Sequence, residues 1–214
     1  MHRYRIFFAK QGDLKYISHL DLQRTVIRAM NRADLPVAYS QGFNPQPKLT
    51  FAAPLAVGIE GKNELMELDL TEHLPPGELG TKLQNQFPAG LEIKSVEEID
   101  PAGPSLASQV TGAVYRVFLA KPLHDLEKRI KKLKNRSSIV VSRPGKKGEK
   151  KIDLKPFILD LSLGQGEQGQ NVITMQLVTG NQGGARPGEI LQQLGVSELE
   201  PPPSIYRTEL LLEQ

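Results

Sequence analysis

Apolar residues in the first half of the chain recur with the spacings of alternating strands and helices. The apolar run 4–9 predicts a strand. Ser18 followed by Asp21 forms the capping-box pattern that begins a helix, and apolar residues at helical spacing extend that helix to about Ala33. Further extended segments are predicted at 36–40, 49–53 and 64–70, followed by a helix at 77–87 and a closing strand at 91–97.

The alternation restarts after residues 99–112, whose proline, glycine and small polar residues are typical of an interdomain linker. The second half opens with a predicted strand and then a basic helix. Two strands joined by a basic turn come next, and a third strand, a short helix and a last strand follow. These segments are 114–120, 123–135, 139–142, 152–163, 172–179, 187–194 and 205–212.

The two halves share an element order that predicts an α+β fold. Strand, helix, two strands, helix and strand is the order of the ferredoxin-like, split-βαβ arrangement. We therefore expect two tandem ferredoxin-like (βαββαβ) lobes, an N-terminal one over 1–98 and a C-terminal one over 113–214, joined by the linker 99–112. The first lobe carries the sequences SHLD (18–21) and GFNP (42–45), and the second carries the basic helix and a basic hairpin.

Composition narrows the chemistry that the chain can perform. None of the 214 residues is cysteine, which excludes disulfides, thiolate zinc sites, cysteine-ligated iron–sulfur clusters and thiol nucleophiles. The four histidines are scattered without metal-ligand spacing, so the sequence predicts no metal site and no cofactor of its own. No apolar stretch is long enough for a membrane span, and we expect a cytoplasmic protein without a membrane partner.

Charge is strongly segregated along the chain. Residues 121–155 hold thirteen lysines and arginines against four acidic residues, although the net charge of the whole chain is only +3. Such a cluster favours a polyanion site over a merely solvated face. A membrane surface is less favoured because no large aromatic face accompanies the charges. The predicted phosphate-binding residues are Lys128, Arg129, Lys131, Lys132, Lys134, Arg136, Arg143, Lys146 and Lys147.

The N-terminal half offers a second candidate site, with hydrogen-bonding and stacking groups as well as charge. His19 at a helix start is a candidate general base or phosphate contact, and Arg24 and Arg28 lie one helical turn apart. The structural alternatives are a capping-region histidine, a solvated arginine face paired with Asp21 or Asp34, and a proline-stiffened turn. The predicted recognition residues are Ser18, His19, Arg24, Arg28, Gly42, Phe43, Asn44 and Lys48.

The strings YISHLDLQR, SQGFNPQPK and FAAPL resemble the radical-SAM-linked domain family, a bacterial family of unknown function. The resemblance is best over residues 3–70. Members are similar to C-terminal extensions of radical-SAM proteins or to separate chains encoded beside them, and this chain looks like the separate form because it has no CxxxCxxC motif. The resemblance implies a radical-SAM partner, which would hold the iron–sulfur cluster and S-adenosylmethionine.

A weaker, fold-level similarity links the chain to the tandem ferredoxin-like RAMP proteins that bind and process CRISPR repeat RNA. Those proteins carry a glycine-rich loop near the C-terminus, of which residues 183–186 are an echo, and often a catalytic histidine early in the chain. Likeness of fold does not establish function.

These observations lead to the hypothesis of an RNA-binding, substrate-presenting accessory protein of a radical-SAM enzyme that modifies tRNA or rRNA. One alternative is a metal-independent, RAMP-like endoribonuclease, with His19 as base and Lys48 or an arginine stabilising the developing negative charge. Another is a protein-docking module whose acidic segments, 61–100 and 156–214, bind the radical-SAM partner.

Overall fold

A computed structural model of the chain describes residues 1–145, 148–167, 169–180 and 183–213. The chain divides into two compact units. The N-terminal unit comprises Met1–Val110 and the residues from Leu212 onward, and the C-terminal unit comprises Thr111–Leu211. The α+β fold class agrees with the sequence prediction, and the strands pair mainly antiparallel.

The N-terminal unit pairs its strands in the order β4-β1-β3-β2, and all three pairings are antiparallel. Tyr4, opposite Leu68 on β3, belongs to the row of β1 side chains that is buried beneath the helices. The strands are β1 (His2–Lys10), β2 (Leu49–Phe51), β3 (Ile59–Leu70) and β4 (Leu91–Ile99), and the helices are α1 (His19–Arg32), α2 (Pro76–Gln84) and the short α3 (Leu106–Gln109).

Helix α1 confirms the helix predicted from the capping pattern. Its apolar stripe, Leu22, Val26, Ala29 and Met30, is buried in the core of the N-terminal unit, as the helical spacing predicts. Helix α2 contributes Leu79 and Leu83 to the same core. The range 99–112, predicted as a linker, contains α3 and the first residues of the following strand.

The C-terminal unit has four sheet strands in the order β10-β5-β9-β8 and a separate two-stranded hairpin, β6-β7. Its strands are β5 (Val110–Phe118), β6 (Val140–Gly145), β7 (Gly148–Asp153), β8 (Ile158–Gln165), β9 (Asn171–Val178) and β10 (Ser204–Leu212), and its helices are α4 (Leu126–Lys134) and α5 (Pro187–Leu194).

One predicted strand, 152–163, is wrong as a single element. Strand β7 ends at Asp153, a 3-10 turn covers Lys155–Phe157, and β8 begins at Ile158. Pro156 in this turn has no backbone N–H for a ladder, which favours a break at this point. The basic strands β6 and β7 therefore pair with each other, and β8 takes the sheet position beside β9.

No helix among the described residues combines the length and apolar character needed to cross a bilayer.

Candidate functional site

The SHLD sequence forms the N-terminus of α1 and satisfies its own polar groups. The Ser18 hydroxyl accepts from the Asp21 backbone N–H at 3.1 Å and donates to the Asp21 carboxylate at 2.6 Å. Arg24 adds an exposed ion pair with Asp21 at 3.3 Å. The hydrogen bond from Ser18, with a further one from Arg24, holds the pKa of Asp21 below its usual value. Two of the predicted recognition residues, Ser18 and Arg24, thus stabilise the helix start.

His19 ties the start of α1 to strand β2. Its half-buried ring lies edge-to-face on Phe51, with centroids 5.2 Å apart, and Phe51 makes a similar contact with Phe8 at 6.0 Å. The SHLD and FAAP sequences therefore meet through one aromatic contact. Beneath them, the buried Lys10 donates to the Ile17 carbonyl at 3.3 Å, a contact that the sequence does not reveal.

The three arginines at helical spacing on α1 differ in the freedom of their side chains. Arg24 is bonded to Asp21, and Arg32 donates to the Gln86 carbonyl at 2.6 Å. Arg28 is exposed and makes no hydrogen bond or ion pair with any described residue. One guanidinium of the stripe is therefore available to a ligand without breaking an internal contact.

The GFNP loop presents a fully exposed aromatic ring. Its base is closed by a hydrogen bond from the Ser40 amide to the Gln46 carbonyl at 2.8 Å and by one from the Gln46 amide to the Ser40 hydroxyl at 2.9 Å. Gly42 has φ of +132°, a conformation that only glycine adopts readily. Phe43 and Asn44 then lie at the tip, where Phe43 loses no solvent exposure to the rest of the protein.

A polar cleft of about 310 Å³ opens at the base of this loop within the N-terminal unit. Its floor includes Arg3, which donates to the buried Asp69 carboxylate through two nitrogens at 2.7 and 3.2 Å. The side-chain hydrogen bond to Asp69 raises the pKa of Arg3 above its usual value. Lys48, half-buried at the rim, donates to the Met1 sulfur at 3.2 Å. The cleft thus places hydrogen-bonding groups close to an exposed aromatic.

Helix α4 uses one flank for internal structure. Leu126, Ile130 and Leu133 are buried. On the flank towards α5, Arg129 bonds Asp125 at 2.8 Å and donates to the Leu194 carbonyl at 3.0 Å. Arg136, seven residues further on, donates to Gln193 at 3.1 Å. Both arginines contact the C-terminal end of α5, and Arg129 satisfies one of the terminal backbone carbonyls that lack a donor within the helix.

The opposite flank and the outer face of α4 carry lysines of two kinds. Lys134 donates to Asp160 at 3.3 Å and to the Leu161 carbonyl at 3.1 Å, which joins α4 to β8. In contrast, the side chains of Lys128, Lys131 and Lys132 are exposed and form no hydrogen bond or ion pair with the residues that the structure describes.

The β6-β7 hairpin is held at its base by a carboxylate and farther along β6 by an ion pair. Asp153 accepts from the Ile139 amide at 2.7 Å and the Lys155 amide at 3.0 Å, and these bonds lower the pKa of Asp153. Arg143 donates through two nitrogens to Glu189 on α5, both at 2.6 Å. The side chains of this pair are each only 16% exposed, so Arg143 has a structural contact.

The pKa of Glu189 reflects two opposing effects. Burial alone would raise it, but the hydrogen bonds from Arg143 and from the Arg186 amide, together with the two positive charges, bring the pKa below its usual value. The carboxylate is therefore ionised and holds Arg143 in place.

Two further lysines of the hairpin, Lys150 and Lys151, have exposed side chains that form no hydrogen bond or ion pair within the described ranges. The sequence-based set of phosphate ligands left them out, although both stand in the same charge run. Lys146 and Lys147, which belonged to that set, lie outside the described residues. Within the described residues, no group of three or more His, Asp or Glu side chains is arranged to hold a metal ion.

Comparisons with known proteins place the chain in a family. The model of a family described as "Uncharacterized protein conserved in bacteria (DUF2344)" matches residues 3–187. The chain belongs to this family. No curated protein matches the sequence.

Among solved structures, a match is a crystal structure described as a candidate glycine cleavage system transcriptional repressor. It is 12% identical, and the match covers 95% of each chain with a TM-score of 0.26. A likeness of that size carries no argument about the fold or function of this member of the DUF2344 family.

Proposed function

We propose that this DUF2344 member is an RNA-binding, substrate-presenting accessory protein of a radical-SAM enzyme that modifies tRNA or rRNA. The observation that carries the RNA-binding part is a set of exposed lysines on α4 and the β6-β7 hairpin whose side chains form no hydrogen bond or ion pair with any described residue. They are Lys128, Lys131, Lys132, Lys150 and Lys151.

Unpaired ammonium groups are suited to phosphate because they bind it without first giving up an internal bond. Each phosphate contact also releases counterions, so affinity for a nucleic acid falls steeply as salt rises. Arg129, Lys134, Arg136 and Arg143 are already bonded within the protein, and we assign them to the support of α4 and the hairpin.

We assign selectivity among RNAs to the GFNP loop, because the lysines contact phosphates, which all RNAs share. The exposed ring of Phe43 is available to stack on an unpaired base, and Asn44 and the polar cleft offer hydrogen-bonding groups near it. Phosphate contacts position a nucleic acid, while contacts with bases select it. We therefore assign affinity to the C-terminal lysines and selectivity to Phe43 and Asn44.

The fold that we propose for both units is ferredoxin-like. The N-terminal order β4-β1-β3-β2 and the C-terminal order β10-β5-β9-β8 each support it, since both follow one scheme of fourth, first, third and second sheet strand. In this scheme the β6-β7 hairpin is an insertion between α4 and β8. The insertion carries two of the five unpaired lysines.

The radical-SAM partner is supported by the resemblance of the SHLD, GFNP and FAAP sequences. Affinity capture with the full chain, followed by identification of retained proteins, tests it. A protein with a CxxxCxxC motif is the expected result. Its absence from capture under anaerobic conditions, where the cluster survives, would remove the partner from the proposal.

RNA binding is tested by titrating a labelled tRNA transcript with the purified chain in EDTA over a salt series. We expect binding that weakens steeply with salt, and intact RNA at the end. Specific cleavage that is lost in His19→Ala would favour the endoribonuclease instead. Neither binding nor cleavage would favour the protein-docking module.

A further inference from the structure

A groove of about 580 Å³ lies between helix α4 and strand β8, wholly within the C-terminal unit. Ile130 and Lys131 line it from the helix, and Leu161, Leu163 and Gly164 line it from the strand. Leucine and isoleucine side chains form an apolar floor, and Lys131 adds a cation that no described residue pairs. The groove therefore combines apolar surface with positive charge.

Strand β8 forms the open edge of its sheet. It is the last strand in the order β10-β5-β9-β8, so within the described residues β9 is its one sheet neighbour. The unused side of an edge strand presents backbone N–H and C=O groups that have no strand partner.

The hydrogen-bond pattern identifies the backbone groups that face outward. The Gly166 amide donates to the Gln170 carbonyl at 2.8 Å, and the register continues through Gly164 opposite Val172. Because successive residues of a strand direct these groups to opposite sides, Leu161, Leu163 and Gln165 direct theirs away from β9. The bond from Lys134 to the Leu161 carbonyl agrees with this assignment.

This edge has few of the features that protect edge strands from pairing. Strand β8 contains no proline and no lysine, and its one charged residue is Asp160. Another sheet-edge strand that runs beside a groove, β4, carries Glu92, Lys94, Glu97 and Glu98 along its length. The α4–β8 edge is therefore the better suited of the two to accept a strand.

We propose that the open edge of β8 binds an extended, acidic segment of a partner protein by strand addition. The backbone groups of Leu163 and Gln165 would pair with the segment, whose side chains alternate between the two faces of the sheet. On the face towards α4, apolar side chains would enter the groove and carboxylates would meet Lys131 and the adjacent Lys128. Glu127 is the one carboxylate among the lining residues, so the lysines outnumber it. Lys128 and Lys131 also belong to the set that we propose to bind RNA, so the segment and RNA should compete for these two lysines.

A peptide fits the groove better than RNA does. The described residues that line the groove include no aromatic ring on which a base could stack. In contrast, the outward N–H and C=O groups of β8 recur at every second residue, which matches the spacing of a peptide strand.

The test uses fluorescence anisotropy with the full chain and a fluorescein-labelled peptide as long as the eight-residue β8, in which valine and glutamate alternate along one face of the strand and serine fills the other face. The same peptide with lysine in place of glutamate is the control ligand. Leu163→Pro removes an outward N–H without touching the β9 ladder, and Leu163→Ala controls for the lost side chain. We expect Leu163→Pro to weaken binding of the acidic peptide about tenfold more than Leu163→Ala does.

Lys131→Glu, a change at an exposed position, keeps the test decisive if Leu163→Pro does not fold. This variant should bind the acidic peptide more weakly and the basic peptide more tightly than the unaltered chain does. Equal binding of both peptides to the unaltered chain, or equal affinity of Leu163→Pro and Leu163→Ala, would overturn the proposal. A loss of tRNA affinity in Leu163→Pro as large as its loss of peptide affinity would assign the edge to RNA and overturn the proposal. So would dimerisation of the unaltered chain, measured by sedimentation, that is lost in Leu163→Pro.

Discussion

The two basic helices, α1 and α4, look alike in sequence but use their cations differently. On α1, Arg24 and Arg32 are bonded within the protein, and the Arg28 side chain has no hydrogen bond or ion pair with a described residue. On α4, the flanking Arg129 and Lys134 are bonded, while Lys128, Lys131 and Lys132 remain unpaired by the described residues. The capacity to bind a polyanion thus depends on which cationic side chains lack an internal partner. The number of lysines and arginines in a segment does not reveal which ones these are.

Removal of a bonded cation should affect stability most. Arg143→Ala leaves the half-buried Glu189 carboxylate without its partner and should lower the free energy of unfolding by about 2 kcal/mol. Arg28→Ala, which removes an exposed and unbonded arginine, should change it by less than about 0.5 kcal/mol. Urea denaturation of both variants measures the difference, and equal stabilities would show that the Arg143 contact does not support the hairpin.

Removal of free cations should instead affect RNA affinity. Lys128→Gln with Lys132→Gln takes two unpaired charges, one helical turn apart, from α4 and should weaken tRNA binding about tenfold at low salt. The matched double variant on α1, Arg24→Gln with Arg28→Gln, should weaken it by less than about threefold. Anisotropy titrations decide between them. An equal loss of tRNA affinity in both variants would show that the cations of α1 and α4 contribute alike.

The GFNP loop should govern preference among RNAs. Phe43→Ala removes a stacking surface that carries no charge, so it should weaken binding to one of two unrelated structured RNAs by about fivefold more than to the other. Asn44→Ala tests the neighbouring polar group in the same way. Identical losses on both RNAs would assign the loop to the scaffold.

The smallest expected effect is a pH dependence of the hairpin clamp. The folded state lowers the pKa of Glu189, so its contribution to stability is fully present above the ordinary glutamate value of 4.5 and is lost as the pH falls through the folded pKa. The urea midpoint of the unaltered chain should therefore fall more between pH 7 and pH 3 than that of Glu189→Gln. Parallel declines would show that other carboxylates dominate acid unfolding.

The sequence predicted those structural features that depend on residues close together in the chain. The Ser18 cap and the apolar stripe of α1 are within a few residues of one another, and both appear as expected. The Arg143–Glu189 pair spans 46 residues, and whether β6 pairs with β7 or with the main sheet depends on contacts between distant segments. Because sequence spacing does not identify such partners, it did not separate the bonded cations of the basic cluster from the free ones.

The most direct test of RNA binding through the unpaired lysines is the salt dependence of tRNA affinity. The variant with Lys128, Lys132, Lys150 and Lys151 all changed to glutamine keeps the side-chain bulk and loses the charge. A plot of log affinity against log salt should become shallower by roughly 0.7 to 0.9 for each phosphate contact that these lysines make. A variant whose plot runs parallel to that of the unaltered chain would contradict the account.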